Sequence, residues 1–310
     1  MNKIYLKLEF IVVIILIKAF DMPKQEMGEL FEDDGLATLD VGHWAIRKHE
    51  KIGYYCSLFA TSMKNKWDSR VYLDLFAGSG KCYISNKDQI IPGSPLLALN
   101  VEDPFDLYIF CEKSEDFISV LRERVTKYFP DRICKFVCGD INLCLDSLFN
   151  IMPTFSFQHK GLTFCFVDPF KAGQLNFDTI RSIQEKIYVD FLVLIPSFMD
   201  INRNEQNYTR VDDHSLDLYL GTDTWRERWK SPQRPRISFG VFIVQEFCLQ
   251  MKELGYLYEG LSDLELIRGD NNQPLYHLSF FSKHPLGLKF WRETVMNTEP
   301  QLSLWPRGEF

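Results

Sequence analysis

Apolar positions change their period repeatedly along the chain. From His43 to Phe59 they fall at helical spacings, with Trp44, Ile52, Tyr55 and Phe59 on one stripe, which predicts a helix ahead of the first strand. Continuous apolar runs then predict strands at 71–76, 107–111, 134–138, 162–167 and 190–195, and amphipathic stretches predict helices at 95–101, 115–128, 141–150 and 177–186. Alternation of this kind predicts an α/β fold with a mostly parallel sheet and helices on both faces. Right-handed crossovers bring every parallel strand's C-terminal end to one edge. Beyond residue 196 the pattern changes. The polar stretch 200–217, the segment Trp225–Lys230 and a helix over about 237–254 read as an inserted subdomain. Residues 261–268 and 275–281, joined across Gly269 to Gln273, read as an antiparallel hairpin, and 285–296 as a closing helix.

The turn after the first strand carries the chemistry. Val71 to Gly80 reads VYLDLFAGSG: an apolar run, then Asp74, then Gly78 and Gly80, where missing side chains let the backbone approach a ligand. The third glycine of a dinucleotide fingerprint and the Gly-Lys-Ser/Thr of a phosphate loop are both missing, so an adenosyl group suits the turn better than a nicotinamide dinucleotide. Asp74 over the turn is placed to accept from an amino acid's ammonium, or else serves as a turn aspartate. Glu112 ends the second strand, where a carboxylate can take both ribose hydroxyls, and Asp140 after the third either accepts from an adenine amino group or caps the next helix. The distance of Glu112 from Asp74 exceeds the roughly 20 residues of the dinucleotide rule, and an insertion at 81–93, placed to cover a cofactor, accounts for the excess. Ser94 with Pro95 is a helix start, the serine capping and the proline taking the first turn.

At the end of the fourth strand stand Asp168, Pro169 and Phe170. A carboxylate, a proline carbonyl and an aromatic face suit a planar amine; the plain alternative is an Asp-Pro turn with Phe170 in the core. Lys48 and His49 either reach over the cofactor or form a solvated helix face, and His277, in a strand pattern, reads as a satisfied core histidine. Arg226, Arg228, Lys230, Arg234 and Arg236 with Trp225 and Trp229 form a basic-aromatic cluster with some potential for nucleic acid, offset by Asp223 and Glu227.

Composition adds bounds. The 310 residues, 46% hydrophobic and 15% aromatic, suffice for a large core, and a net charge of -7 argues against a generally basic nucleic-acid-coating surface. The 8 cysteines include no Cys-x-x-Cys pair, so no metal is expected, and Cys111, Cys138 and Cys165 at strand ends read as small buried hydrophobes in a reducing cytoplasm. The apolar run from Phe10 to Ile17 is too short to span a bilayer and lacks a cleavage site, so no membrane association is expected; Met22 and Met27 are alternative starts. Residues 28–40 read as a solvated acidic lead-in.

A parallel sheet finished by an antiparallel hairpin is the layout of S-adenosylmethionine-dependent methyltransferases. Trp44 with Lys48-His49, Asp74 to Gly80, Gly93-Ser-Pro95, Glu112, Gly139-Asp140, Val167 to Phe170 and Leu275 to His284 together resemble the three-Cys-motif partner (TcmP) family, from about Val41 to the chain end. The resemblance implies a Rossmann-like methyltransferase core at 41–199 after an extension at 1–40, a winged-helix insertion at 200–260, and a C-terminal hairpin and helix at 261–310. It implies S-adenosylmethionine held by Asp74, Phe76, Gly78, Gly80, Glu112 and Asp140, with Asp168, Pro169 and Phe170 facing the acceptor. It further implies a cytoplasmic protein whose partner is a radical-S-adenosylmethionine-type protein carrying the three-cysteine motif. Two departures stand out: Asp-Pro-Phe replaces the Asp-Pro-Pro-aromatic of amino-methyltransferases, and Lys171 stands where the family tends to have glycine. The expected activity is methylation of a nucleic-acid base or other planar amine. The alternative is a docking module for the partner, with the winged helix on nucleic acid.

Overall fold

Runs apolar at every position, such as Val71 to Leu73, must be covered on both sides, and the chain meets that requirement with one sheet between two helical layers. The computed structural model describes residues 28–298 apart from 235, 259 and 261–263, so the apolar run at 10–17 and the alternative starts lie outside the described residues. In chain order the strands are β1 (Leu39–Asp40), β2 (Ser69–Asp74), β3 (Lys81–Ile84), β4 (Gln89–Pro92), β5 (Leu107–Glu112), β6 (Cys134–Cys138), β7 (Gly161–Val167), β8 (Val189–Ile195), β9 (Leu264–Arg268) and β10 (Pro274–Phe281). The helices are α1 (Ala45–Met63), α2 (Ser94–Leu99), α3 (Glu115–Tyr128), α4 (Leu145–Ile151), α5 (Phe177–Lys186), α6 (Glu205–Tyr208), α7 (Ser215–Leu220), α8 (Trp225–Lys230), α9 (Phe239–Glu253) and α10 (Pro285–Asn297).

The main sheet has 7 strands in the order β6-β5-β2-β7-β8-β10-β9. Neighbours from β6 to β8 pair in parallel, and β10 runs antiparallel to both β8 and β9. This is a Rossmann-like, mostly parallel sheet. The chain begins at the central β2, moves outward through β5 to β6, and returns to β7 on the other side, which sets the topological switch point between β2 and β7. Along β2 the side chains alternate: Val71 and Leu73 join the core cluster containing α5 and α9, and Tyr72 joins the cluster containing α1 and α10. In the second cluster the Tyr55 ring lies 4.8 Å from both Phe164 and Phe280, so α1 is seated on the sheet by aromatic contacts.

Two expectations are corrected. The segment 200–260 is the crossover that carries the chain from β8 to β9. Its described residues form α6 to α9 with no strand to make a wing, and Phe239, Phe242 and Phe247 of α9 enter the same core as Phe191 and Val193 of β8. Its long apolar helix needs the sheet face to bury it. Residues 28–40 are a solvated lead-in only in part: Glu29, Glu32, Asp33 and Asp40 are exposed, but the Asp34 side chain is not. Asp34 is buried between Arg124 (Nη2–Oδ1 2.7 Å) and Lys81 (Nζ–Oδ2 3.2 Å), and the same Arg124 donates to the carbonyls of Leu36, Ala37 and Ser79. β1 then pairs in parallel with β3. The insertion at 81–93 is the β3–β4 hairpin, which with β1 makes a small second sheet.

Burial works to raise the Asp34 carboxyl, but its bonds and proximity to Arg124 and Lys81 win and hold it far below the usual carboxylate range. A depressed folded pKa contributes stability that is complete above the unfolded value of about 4 and is lost as pH falls below it. Replacing Asp34 with Ala leaves two buried cations without their counter-charge and is expected to cost about 3–5 kcal/mol. Urea unfolding at neutral pH checks this. The variant should also lose less of its remaining stability than the parent between neutral pH and the acid range.

Candidate active site

The apolar run of β2 delivers Asp74 fully buried at the C-terminal edge of the sheet. Its carboxylate accepts from the Phe76 amide (3.1 Å), the Tyr72 hydroxyl (3.1 Å) and the Ser94 hydroxyl (2.7 Å). A carboxylate offers about four acceptor positions, so three are used and one remains. Burial pushes the Asp74 carboxyl up to about 7; the three donors pull it down and the charge of nearby Asp168 adds to the rise. The bond from Ser94 corrects the expected cap. Gly93 occupies the cap position of α2, Ser94 is the first helical residue, and its hydroxyl turns toward Asp74.

After Asp74 the chain turns through Gly78 (φ 61°) and Gly80 (φ 90°), both in the left-handed region that glycine tolerates. A Cβ on Gly80 would lie 2.8 Å from Leu121 Cδ1, whereas one on Gly78 would meet nothing within 4 Å. One glycine is needed for packing against α3 and the other faces open space. Glu112, at the end of β5, accepts from the Gly78 amide through Oε2 (2.8 Å) and from the Ser114 amide through Oε1 (2.8 Å). It therefore ties the glycine turn to the start of α3, and each oxygen keeps a second lone pair for a ligand hydroxyl.

Asp140, after β6, does not cap the following helix, which starts from Cys144. Burial acts to raise its carboxyl, but the Lys113 ammonium at 3.0 Å and the Asn142 side chain and amide hold it below its ordinary value. Asp168, just past β7, is engaged by Lys48 of α1, with Nζ 2.5 Å from Oδ2. Both side chains are largely shielded, which overturns the solvated-face reading of Lys48. His49 beside it is buried with no partner for Nδ1, and burial followed by the Lys48 charge keeps it neutral, well below the usual histidine range. Pro169 is buried and Phe170 is 81% exposed, so Phe170 is no core residue. The Gln174 side-chain oxygen accepts from the amides of Phe170 (2.8 Å) and Lys171 (3.3 Å) and pins this loop.

Asp74, the glycine turn, Glu112, Asp140 and Asp168 thus all stand at the C-terminal ends of β2, β5, β6 and β7, around the switch point. Phe76 follows Asp74 half-buried against the sheet core, and its amide holds Asp74. Tyr276, which the sequence motif Leu275 to His284 contains without assigning it a role, is buried without a hydroxyl partner; its hydroxyl is pushed well above the ordinary range by burial and then by the Asp168 charge. The antiparallel course of β10 brings Tyr276 to this edge, a placement that periodicity alone does not reveal. His277 faces the other way, bonded through Nδ1 to Ser197 Oγ at 2.8 Å.

The basic-aromatic cluster does not join the site. Trp225 is buried, and Trp229 packs on Phe239 and Phe242 at 5.0 Å. Arg226 is bound to Asp217 and Arg228 to Glu246, so these groups hold the crossover together. Cys111 and Cys165 are buried as expected, whereas Cys138 is exposed; all the cysteines are free. Among the described residues no helix is long and apolar enough to cross a membrane.

No family model matches the sequence, and no curated protein matches it. Solved structures share the general architecture. They include the cofactor-bound Rv0187 protein from MTB (14% identity, 75% of this chain and 79% of that one, TM-score 0.42). A second is the protein LPL1258 from Legionella pneumophila (14%, 81% and 92%, TM-score 0.45). A third is the O-methyltransferase from Bacillus cereus in complex with SAH (12%, 80% and 85%, TM-score 0.43). At these identities and scores the likeness carries no argument about activity, which has to come from the residues themselves.

Proposed function

We propose that this crevice binds S-adenosylmethionine and methylates a planar amine of the kind a nucleic-acid base presents. The observation that carries the reading is the bond from the Gly78 amide to Glu112 beside the buried Asp74, which gathers three cofactor-binding elements at the switch point of the sheet. The donor set fits the group. Asp74 retains one acceptor position for an ammonium, Glu112 retains lone pairs for ribose hydroxyls, and the space beside Gly78 is open where a side chain would stand. Asp140 supplies an acceptor for the adenine amino group, and the turn from Phe76 to Gly80 supplies the backbone wall.

When bound, the cofactor supplies an electrophilic methyl group on a sulfonium. The protein's part is to position the acceptor. Lys48 occupies Asp168 Oδ2 and leaves Oδ1 to accept an amine hydrogen, and the Pro169 carbonyl takes a second. The exposed Phe170 ring offers its face to a flat acceptor. Alignment of this sort is the main catalytic resource of a site with no nucleophile of its own.

Calorimetry with S-adenosylmethionine and S-adenosylhomocysteine tests the reading. Micromolar binding is expected, abolished by Asp74→Ala and retained by Asp168→Ala; absence of binding at millimolar ligand in folded protein would sink the cofactor assignment. Transfer of a labelled methyl group into bulk RNA or DNA should fall by ~10²-fold or more in Asp168→Ala, the scale on which a positioned proton acceptor acts.

A pH series gives an independent check. Asp74 carries its charge only above about 7, and an ammonium is attracted only to the ionised form. Cofactor affinity should therefore rise between pH 6 and pH 8. An Asp74→Asn variant should bind weakly at both, with a flat profile.

A further inference from the structure

At the opposite edge of the sheet, where β7 and β8 begin, a second cavity of about 180 Å³ lies between α1, α10 and the strands. Its walls are aromatic, formed by Tyr55, Phe59, Trp67, Tyr188 and Phe290, with the Trp67 and Tyr188 rings stacked at 5.5 Å. Lys66, His284 and Asp190 line it, and of these three only Asp190 is buried. Asp190 is 5% exposed and its Oδ1 has no hydrogen-bond partner, and the Tyr55 hydroxyl in the same wall is also buried without one.

An unpartnered carboxylate oxygen in an apolar site costs stability, and so does an unpartnered phenol. A ligand that carries an N–H donor on a small apolar body relieves both at once, while the rings enclose its body and, for a cation, add attraction to their faces. We propose that this cavity is a binding site for a small aryl or aryl-alkyl amine, held by Asp190 and Tyr55 and separate from the crevice at the C-terminal edge. The inference stands whether or not that crevice binds S-adenosylmethionine, because no residue of one lines the other. Burial, the largest influence, pushes the Asp190 carboxyl up to about 7, against a hydrogen bond from Ser282 that lowers it.

Benzylamine is a suitable probe, with toluene as its apolar isostere, both titrated calorimetrically into the full-length protein at pH 8. Saturable benzylamine binding is expected, with toluene at least ~10-fold weaker, the scale of a hydrogen bond to a charged group. Asp190→Asn should weaken benzylamine by a similar factor. Met63→Trp, which fills the cavity from α1, should abolish binding and guards against an Asn variant that fails to fold. Equal binding of toluene and benzylamine, or benzylamine binding untouched by both variants, would overturn the assignment. So would the absence of any binding by the parent protein at tens of millimolar, the result expected of a cavity that holds only water.

Discussion

A single buried guanidinium organises the end of the molecule on which the site is built. Arg124 reaches from α3 to the Asp34 carboxylate and to the carbonyls of Leu36, Ala37 and Ser79. Its planar fork suits that task, since it can serve several acceptors without changing rotamer, which an ammonium on a flexible stem cannot do as well. Ser79 lies between the two glycines of the turn, so the conformation of the turn and the docking of the N-terminal segment are parts of one hydrogen-bonded assembly. Lys81 completes it through the carbonyls of Glu29 (3.0 Å) and Glu32 (2.8 Å). The glycines grant the turn freedom, and the arginine removes most of it.

The two edges of the sheet are treated differently. At the C-terminal edge most polar groups are satisfied within the protein: Asp74 has three donors, Glu112 two, and Asp168 an ammonium. Such a site is pre-organised, with orientations set before any ligand arrives and little left to order on binding. At the other edge Asp190 and Tyr55 are left wanting. The acidic residues and glycines singled out in the sequence for a cofactor all stand at the first edge.

The parallel core was legible because its signals are local. The expected spans for α3, β6 and α5 coincide with the observed ones, and the acidic residues after each strand stand at one edge as right-handed crossovers require. What failed depends on long-range contacts. In the acidic run Glu32 to Asp34 the first two side chains are exposed as they look, but Asp34 looks solvated too until Arg124, far along the chain, is known to claim it. The cluster around Trp225 looks like a ligand surface because composition cannot show that Asp217 and Glu246 pair with Arg226 and Arg228. Ser94 read as a cap because the partner of its hydroxyl, Asp74, becomes a neighbour only after folding. Tyr276 stood within the Leu275 to His284 motif without a role of its own, since its placement at this edge comes from the reversed direction of β10.

The β3–β4 hairpin has a consequence of another kind. The Gly93 amide bonds to the Gly80 carbonyl at 2.7 Å, and no side chain at position 93 could approach the Gly80 backbone so closely without displacing it. The chain therefore leaves the core and rejoins it at one point. Whatever lies between those glycines is topologically a side branch. It can lengthen, shorten or exchange its tip at a cost that grows only slowly with loop length, while the strands beneath keep their register. A lineage of such proteins can thus remodel this branch without having to refold the sheet.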